Sequence, residues 1–369
     1  MRKLLITFLM LCFGFYLQAQ ESGYDFKPIV DLDVTSVKSQ GRTGTCWCFA
    51  TLSFLESELL RMGKPAYDLS EMYIVKHTYN EKARMYVGNH GMANFSQGGQ
   101  AHDVFNEIVD HGIVPENTFA GIQYNSDVHN HQELSKVLTN FIDGVLEARQ
   151  PTTVWQEAFE AILDVYLGES PETFTYEGKE YTPHSFYKEL EINPDDYVEI
   201  MSYTNVPYYE KAPLLVPDNW SHDDYYNVPL DDFMEIMNYS LKQGYTFVWD
   251  GDVSDKGFSR KEGIAVVDNE NDEEKTFLNM PVEEKYIDAD TRQLKFERFD
   301  ITDDHLMHIT GLAEDQNGTV YYKTKNSWGT GHKYDGYWYM SEQFLRLHTI
   351  AIMVHKDAIP KNIRRKMDL

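Results

Sequence analysis

The residues of this 369-residue chain whose types and spacing could do covalent chemistry are few: a cysteine that opens a helix, a glutamine six residues before it, and a histidine and an asparagine on either side of a turn. In "SQGRTGTCWCFATLSFLESELLRMG", residues 39–63, the apolar positions Phe49, Leu52, Leu55, Leu59, Leu60 and Met62 recur at helical spacing from Cys46 onward, and Gly63 supplies the stop. Cys46 therefore falls in the first turn. There the unpaired N–H groups and the positive end of the helix dipole favour a thiolate over a thiol.

A cysteine nucleophile needs a base to take its proton and a group to orient that base. His308 in "DDHLMHITG" and Asn326 in "TKNSWG" flank Asn317-Gly318, a strong signal for a two-residue hairpin turn. Such a turn sets the two side chains one residue from strict opposition, a gap that a bulge absorbs. On this reading the Asn326 carboxamide accepts from one ring nitrogen of His308 and leaves the other for Cys46. Trp328 shields that hydrogen bond from water. His305 is the local competitor, expected on the opposite face of the strand. Gln40 offers an amide that, with the Cys46 N–H, can stabilise an oxyanion.

The elements that must position these groups follow from the rest of the chain. Residues 1–20, MRKLLITFLMLCFGFYLQAQ, combine Arg2 and Lys3 with an apolar stretch from Leu4 to Leu17 and a small residue at Ala19, which reads as a secretory signal peptide and places the protein in a periplasm or outside the cell. Its removal takes two cations and no acid from a net charge of −26, leaving −28. So acidic a surface repels nucleic acid and anionic membranes and suits substrates that carry a positive group. The mature chain keeps only Cys46 and Cys48, too close on one helix for an ordinary disulfide, so a hydrophobic core must hold the fold.

Three regions are expected. Residues 21–124 are helical, with stretches near 69–78 and 101–111 separated by the loop SQGGQ; residues 125–226 are rich in acids and tyrosines, with a helix over 153–167, and read as an insertion; residues 227–369 are strand-like in "YTFVWDGD", "HLMHITGLAED", "VYYKTKNSWG" and "YWYMS". Helices first and strands last predict an α+β protein of two lobes. A metal site has its best candidates in His129 and His131 of "HNHQE", with no third ligand at useful spacing. No cofactor is called for.

The segment "QGRTGTCWCFA" resembles the active-site segment of papain-like cysteine peptidases, with Gln40, Cys46 and Trp47 at the family's spacing, and "KNSWG" resembles its asparagine segment. Within that superfamily, "LSEMY", "GGQ", "LGESPETFTYEG", "TPHSFYKE", "NVPLDDF" and "DGDVSDKGF" resemble, in order, the bleomycin hydrolase and aminopeptidase C branch. The resemblance implies a papain-like two-lobe fold and thiol-dependent hydrolysis of short peptides. It assigns Cys46 as nucleophile, His308 as base, Asn326 as its orienter and Gln40 to the oxyanion hole. It also implies that Gly98 and Gly99 pair with bound peptide, that Trp47 and Trp328 flank it, and that the C-terminal carboxylate, here on Leu369, meets the substrate's amino terminus in the cleft. Departures from the branch are Thr43 where papain has a disulfide cysteine, Cys48 where papain has a small residue, a short arm before Cys46 and a tail of nine residues after Pro360. The short arm argues against the branch's hexamer, and a tail that fails to reach the cleft leaves an open endopeptidase. A scaffold that binds peptide without turnover is the remaining alternative.

Overall fold

The computed structural model describes residues 23–267 and 276–369; the signal-peptide reading of residues 1–20 lies outside them. Ten helices are present among the described residues: α1 (Cys46–Arg61), α2 (Glu71–Gly88), α3 (Ala101–His111), α4 (Gln132–Glu147), α5 (Val154–Leu167), α6 (Pro183–Leu190), α7 (Leu230–Lys242), α8 (Ala289–Glu297), α9 (Glu342–His348) and α10 (Lys361–Lys366). The strands are β1 (Lys27–Asp31), β2 (Phe174–Tyr176), β3 (Lys179–Tyr181), β4 (Tyr197–Met201), β5 (Lys211–Pro213), β6 (Asp224–Asn227), β7 (Phe247–Gly251), β8 (Phe258–Ser259), β9 (Ile264–Ala265), β10 (His305–Glu314), β11 (Val320–Lys325), β12 (Tyr337–Ser341) and β13 (Thr349–His355). Apart from the β2–β3 hairpin they form one sheet in the order β5-β6-β4-β13-β7-β10-β11-β12-β9-β8, with β1 also paired to β10.

Two cores sit on either side of this sheet. One gathers the inward faces of α1 to α6, through residues such as Trp47, Leu52, Ile74, Val104, Leu138 and Leu163, and reaches the sheet at Val248, Leu306 and Met353. The other packs α7, α9 and α10 against Phe247, Trp249, Met307, Ile309 and Ile352. The alternation of Leu306 with Met307, and of Phe247 with Val248, is the strand periodicity that lets one sheet serve both cores. The segment expected as an insertion is shared out: residues in α4, α5 and α6 join the first core, whereas β4, β5 and β6 extend the sheet.

Helix α1 is buried nearly throughout, including the polar residues Glu56, Ser57 and Glu58. Glu56 earns that position through partners, accepting from Lys38 Nζ at 3.3 Å and from the Leu69 N–H at 3.0 Å, and also from Thr35 Oγ1. A carboxylate so placed would be costly without them.

The C-terminal tail departs from expectation. Rather than extending toward the cleft, residues after Pro360 wind into α10, and Ile363 and Met367, four apart, bury themselves against α7 beside Phe233 and Met237. Lys366 then reaches Asp232 at 3.2 Å and the Leu369 N–H donates to the Arg364 carbonyl at 3.1 Å. The apolar pair is what overrides extension. Replacing Ile363, which is fully buried, by Ala should therefore cost about 2–5 kcal/mol, read as a lowered denaturation midpoint; an unchanged midpoint with altered cleavage would contradict a structural tail.

Candidate active site

Cys46 opens α1 behind Thr45, whose carbonyl accepts from the N–H groups of Cys48 and Phe49 at 3.0 and 3.3 Å. The Cys46 N–H stands ahead of these first helical bonds and is left to meet a ligand. The thiol lies in a cleft of about 550 Å³ between the lobes, lined also by Gln40, Gly98, Gly99, Asp218, Arg260, Asp303, Asp304, His305 and Trp328. Burial pushes it up to about 12, against a backbone hydrogen bond from Leu306, and the negative charges of Asp303, Asp218 and Asp250 add to the rise. Burial and these charges thus oppose the thiolate expected at the helix start, against a helix terminus worth roughly 0.3–1 kcal/mol.

The histidine beside Asn326 is His305. Its Nε2 lies 2.8 Å from Asn326 Oδ1, and the Ser327 N–H donates to the same oxygen at 2.7 Å. A backbone N–H can only donate, so that atom is the amide oxygen and His305 Nε2 carries the proton. The bare Nδ1 is left to act in the cleft. Trp328 stacks on the His305 ring with centroids 4.7 Å apart, and the Arg260 guanidinium lies 4.3 Å above Trp328. Burial pulls His305 down to about 4, the Asn326 bond opposing and the charge of Arg260 assisting.

His308 is corrected by the register of the hairpin. The loop is three residues long, closed by the Asp315 N–H on the Thr319 carbonyl at 2.9 Å, with Gly318 at φ +83°. A bulge at Thr310 shifts the pairing again, so His308 lies opposite Lys325. Asn326, one residue further, then belongs to the other face, which is that of His305. Gly311 has no freedom to carry a side chain beside this bulge, since a Cβ there would lie 2.3 Å from the Val30 carbonyl oxygen of β1.

His308 instead turns under α1, fully buried, with Nδ1 2.9 Å from Ser53 Oγ. Lys325 Nζ donates to the same hydroxyl at 2.7 Å, so the hydroxyl proton goes to His308. Burial, and then the Lys325 charge, hold His308 well below the usual imidazole range. Cys46 and Ser53 are seven residues apart on α1, about 10 Å, and three strand residues span about 10 Å. One helix thus meets β10 twice, at the cleft and beneath it.

Gln40 is tied to the asparagine segment. Its N–H donates to the Ser327 carbonyl at 2.8 Å, Ser327 Oγ donates to its Oε1 at 2.6 Å, and its Nε2 donates one hydrogen to the Thr43 carbonyl at 2.7 Å. The second amide hydrogen is available to the cleft. Gly98 and Gly99 line the cleft wall, and neither tolerates a Cβ: at Gly98 it would lie 1.9 Å from an Asp218 oxygen, and at Gly99 3.0 Å from the Trp47 ring. Trp47 itself is fully buried, and its Nε1 donates to the Gln97 carbonyl at 3.0 Å. It fixes the glycine loop from behind rather than flanking peptide. Leu369 is likewise not at the site, because α10 lies against α7. His129 and His131 brace the loop before Cys46 through the Arg42 N–H on the His129 carbonyl, at 2.8 Å, and the His131 N–H on the Arg42 carbonyl, at 3.2 Å.

The sequence reading missed four cleft residues: Arg260, Asp218, Asp303 and Asp304. The paired acids directly before His305 were a usable signal.

A buried thiol at a helix start, an imidazole whose tautomer is set by a carboxamide, and free N–H groups between two lobes define a papain-like cysteine peptidase. The chain belongs to the Peptidase C1-like family, whose model matches residues 18–369. It is 24% identical to aminopeptidase C of Lactobacillus delbrueckii subsp. lactis over 95% of this chain and 86% of that protein. To bleomycin hydrolase of Mus musculus it is 25% identical, over 93% and 85% respectively. The fold matches the crystal structure of PepW from Lactobacillus rhamnosis HN001 with a TM-score of 0.73 and 20% identity, covering 93% of this chain and 84% of that one.

Two outcomes follow from the geometry. His305→Ala should slow alkylation of Cys46 by iodoacetamide at least tenfold with little change in stability, whereas His308→Ala should spare the thiol and cost about 1–3 kcal/mol by leaving the buried Ser53 hydroxyl proton without an acceptor. The reverse pattern in alkylation rates and melting would refute the register. The second concerns Asp250 and Asp303, which burial pushes upward; the Asp303 charge adds to the rise of Asp250, and the Asp218 charge to that of Asp303, which reaches about 7. A carboxyl raised on folding stabilises while protonated and loses that contribution as pH rises through its folded value. Asp250→Asn should therefore melt higher than the parent, by a margin that widens as pH rises above about 4, where the unfolded aspartate ionises; a constant margin in melting scans would contradict the raised carboxyl.

Proposed function

We propose that Cys46 is the nucleophile, His305 the general base, Asn326 the group that orients it, and that the Cys46 N–H and Gln40 Nε2 form the oxyanion hole. The observation that carries this reading is the bond between His305 Nε2 and Asn326 Oδ1 in the cleft that holds Cys46. Burial favours the neutral form of both reacting groups. When a peptide carbonyl arrives, the thiol proton passes to His305 Nδ1 as the sulfur attacks carbon, and the two charges formed compensate each other out of water. The oxyanion falls to the two N–H donors. Collapse of the tetrahedral adduct expels the amine, which takes the proton from His305; water then attacks the thioester with His305 again as base, the C–S bond breaks to release the acid, and the proton returns to Cys46.

On substrate, the reading is removal of N-terminal residues from short peptides, supported by relatives that are named aminopeptidases. A second reading, cleavage inside peptides, is favoured by one observation: among the described residues, none of 361–369 lines the cleft. The reading on location is export, resting on the signal-like stretch at residues 1–20.

The test is hydrolysis of a defined peptide, with free and with acetylated amino terminus, followed by mass spectrometry of the products. Cys46→Ala should abolish turnover, and His305→Ala should lower kcat by about 100-fold or more. Cys48→Ala should keep most activity, because Cys48 is fully buried and only donates to the Glu71 carbonyl at 3.3 Å. Equal loss at the two cysteines would sink the assignment, and efficient cleavage of acetylated peptide would select the second reading.

A further inference from the structure

One wall of the cleft is negatively charged and is not used by the proposed chemistry. Asp303 and Asp218 both line the cleft with Cys46. Asp303 Oδ2 accepts from Gln100 Nε2 at 2.9 Å, and Gln100 Oε1 in turn accepts from the Tyr225 hydroxyl at 3.3 Å. Asp218 Oδ1 is held by Asn94 Nδ2 at 2.8 Å and Ser96 Oγ at 3.2 Å. Both side chains are therefore fixed in place, and no salt bridge to Lys, Arg or His forms at either among the described residues.

Behind Asp303 stands Asp250 on β7. It is 3% exposed, and neither carboxylate oxygen has a hydrogen-bond partner of proper geometry. Its polar neighbours are the Asp303 carboxyl and the Gln100 amide. A buried carboxylate facing a second one, with no cation of the protein to answer either, costs stability unless a proton or a ligand cation sits between them. The surroundings supply no such cation. Lys82 Nζ donates to the Gly98 carbonyl, and its charge is felt by Asp218 and Asp103 without a salt bridge to either among the described residues. Arg260 lies on the other side of His305, over Trp328. Asp303 and Asp304 diverge accordingly, as successive residues of an extended strand do: Asp304 accepts from the Val253 N–H at 2.9 Å, on the Arg260 side.

We propose that Asp303, backed by Asp250 and assisted by Asp218, binds a positively charged group of the peptide beside Cys46, either its N-terminal ammonium or a lysine or arginine side chain. This rests on the peptidase reading of the cleft and adds the substrate class to it. With α10 packed against α7, the chain's own terminal carboxylate does not serve that cation, and the wall of the cleft does so instead. Asp303 meets the ligand. Asp250 is a positioning residue: burial favours its protonated form, which faces Asp303 from behind and favours the charge there.

The experiment uses the full-length Cys46→Ala protein, which binds without turnover, and short peptides in calorimetry: one with a free amino terminus, its acetylated form, and acetylated forms carrying lysine or the isosteric norleucine. The cationic peptide should bind at least tenfold more tightly than its neutral counterpart. The preference should shrink as salt is added. Adding Asp303→Asn should remove most of it, with Asp250→Asn removing a smaller part, while the melting of both variants confirms that they fold. Whichever pair shows the preference identifies the source of the cation. Equal binding of charged and neutral peptides, or a preference that survives Asp303→Asn, would overturn the proposal. Turnover by the unsubstituted enzyme separates the two readings: hydrolysis without cation preference defeats this inference alone, and cation-selective binding without hydrolysis defeats the peptidase reading alone.

Discussion

The hydrogen bond from His305 Nε2 to Asn326 Oδ1 forms in only one register of β10 against β11, and the cleft is organised around it. That bond removes one ring nitrogen from play and leaves Nδ1 bare, while the Ser327 N–H on the same oxygen keeps the amide from turning over. Ser327 also holds Gln40 by main chain and side chain, so the loop that precedes Cys46 and the loop that follows β11 are one hydrogen-bonded unit. A shift of a single residue would exchange His305 for His308 and aim the carboxamide into the core.

Helix α1 is the element on which both lobes rest. Its cleft end carries Cys46, and its middle carries Ser53, which links His308 to Lys325 below the cleft. The cost of burying Glu56 beneath the helix is offset by its partners Thr35, Lys38 and the Leu69 N–H. The same helix holds the thiol where burial favours its neutral form. In the proposed mechanism, proton transfer to His305 accompanies the charge that develops on substrate, which is where such a site gains most from its fixed dipoles.

Much of this was legible in the chain because it is local. The Cys46 helix, α3 and the strand character of "HLMHITGLAED" follow from periodicity, and Gln40 and Asn326 stand in short recognisable segments. The histidine beside Asn326 was misread because register is a sum of small insertions. Asp315 caps a three-residue loop with its own side chain, accepting from Asn317 and Thr319 N–H groups, and Gly311 marks a bulge that β1 needs. Both were signalled, by an aspartate two before Asn-Gly and by a glycine inside a strand. Leu369 was misplaced for a different reason. Ile363 and Met367 carry the spacing of a helix face, and an apolar face finds a core before a carboxylate finds a cleft. Asp250 had no local signal, since only the folded sheet brings β7 beside the residues that precede His305.

The central claim is that His305, and not His308, shares the cleft with Cys46. Dibromoacetone loses one bromide to a thiolate and the second to an imidazole nitrogen within reach, which joins the two side chains covalently. Digestion and mass spectrometry of the treated protein should yield a single bridged peptide pair, Cys46 with His305, lost in His305→Ala and retained in His308→Ala. A bridge from Cys46 to His308 would contradict the account.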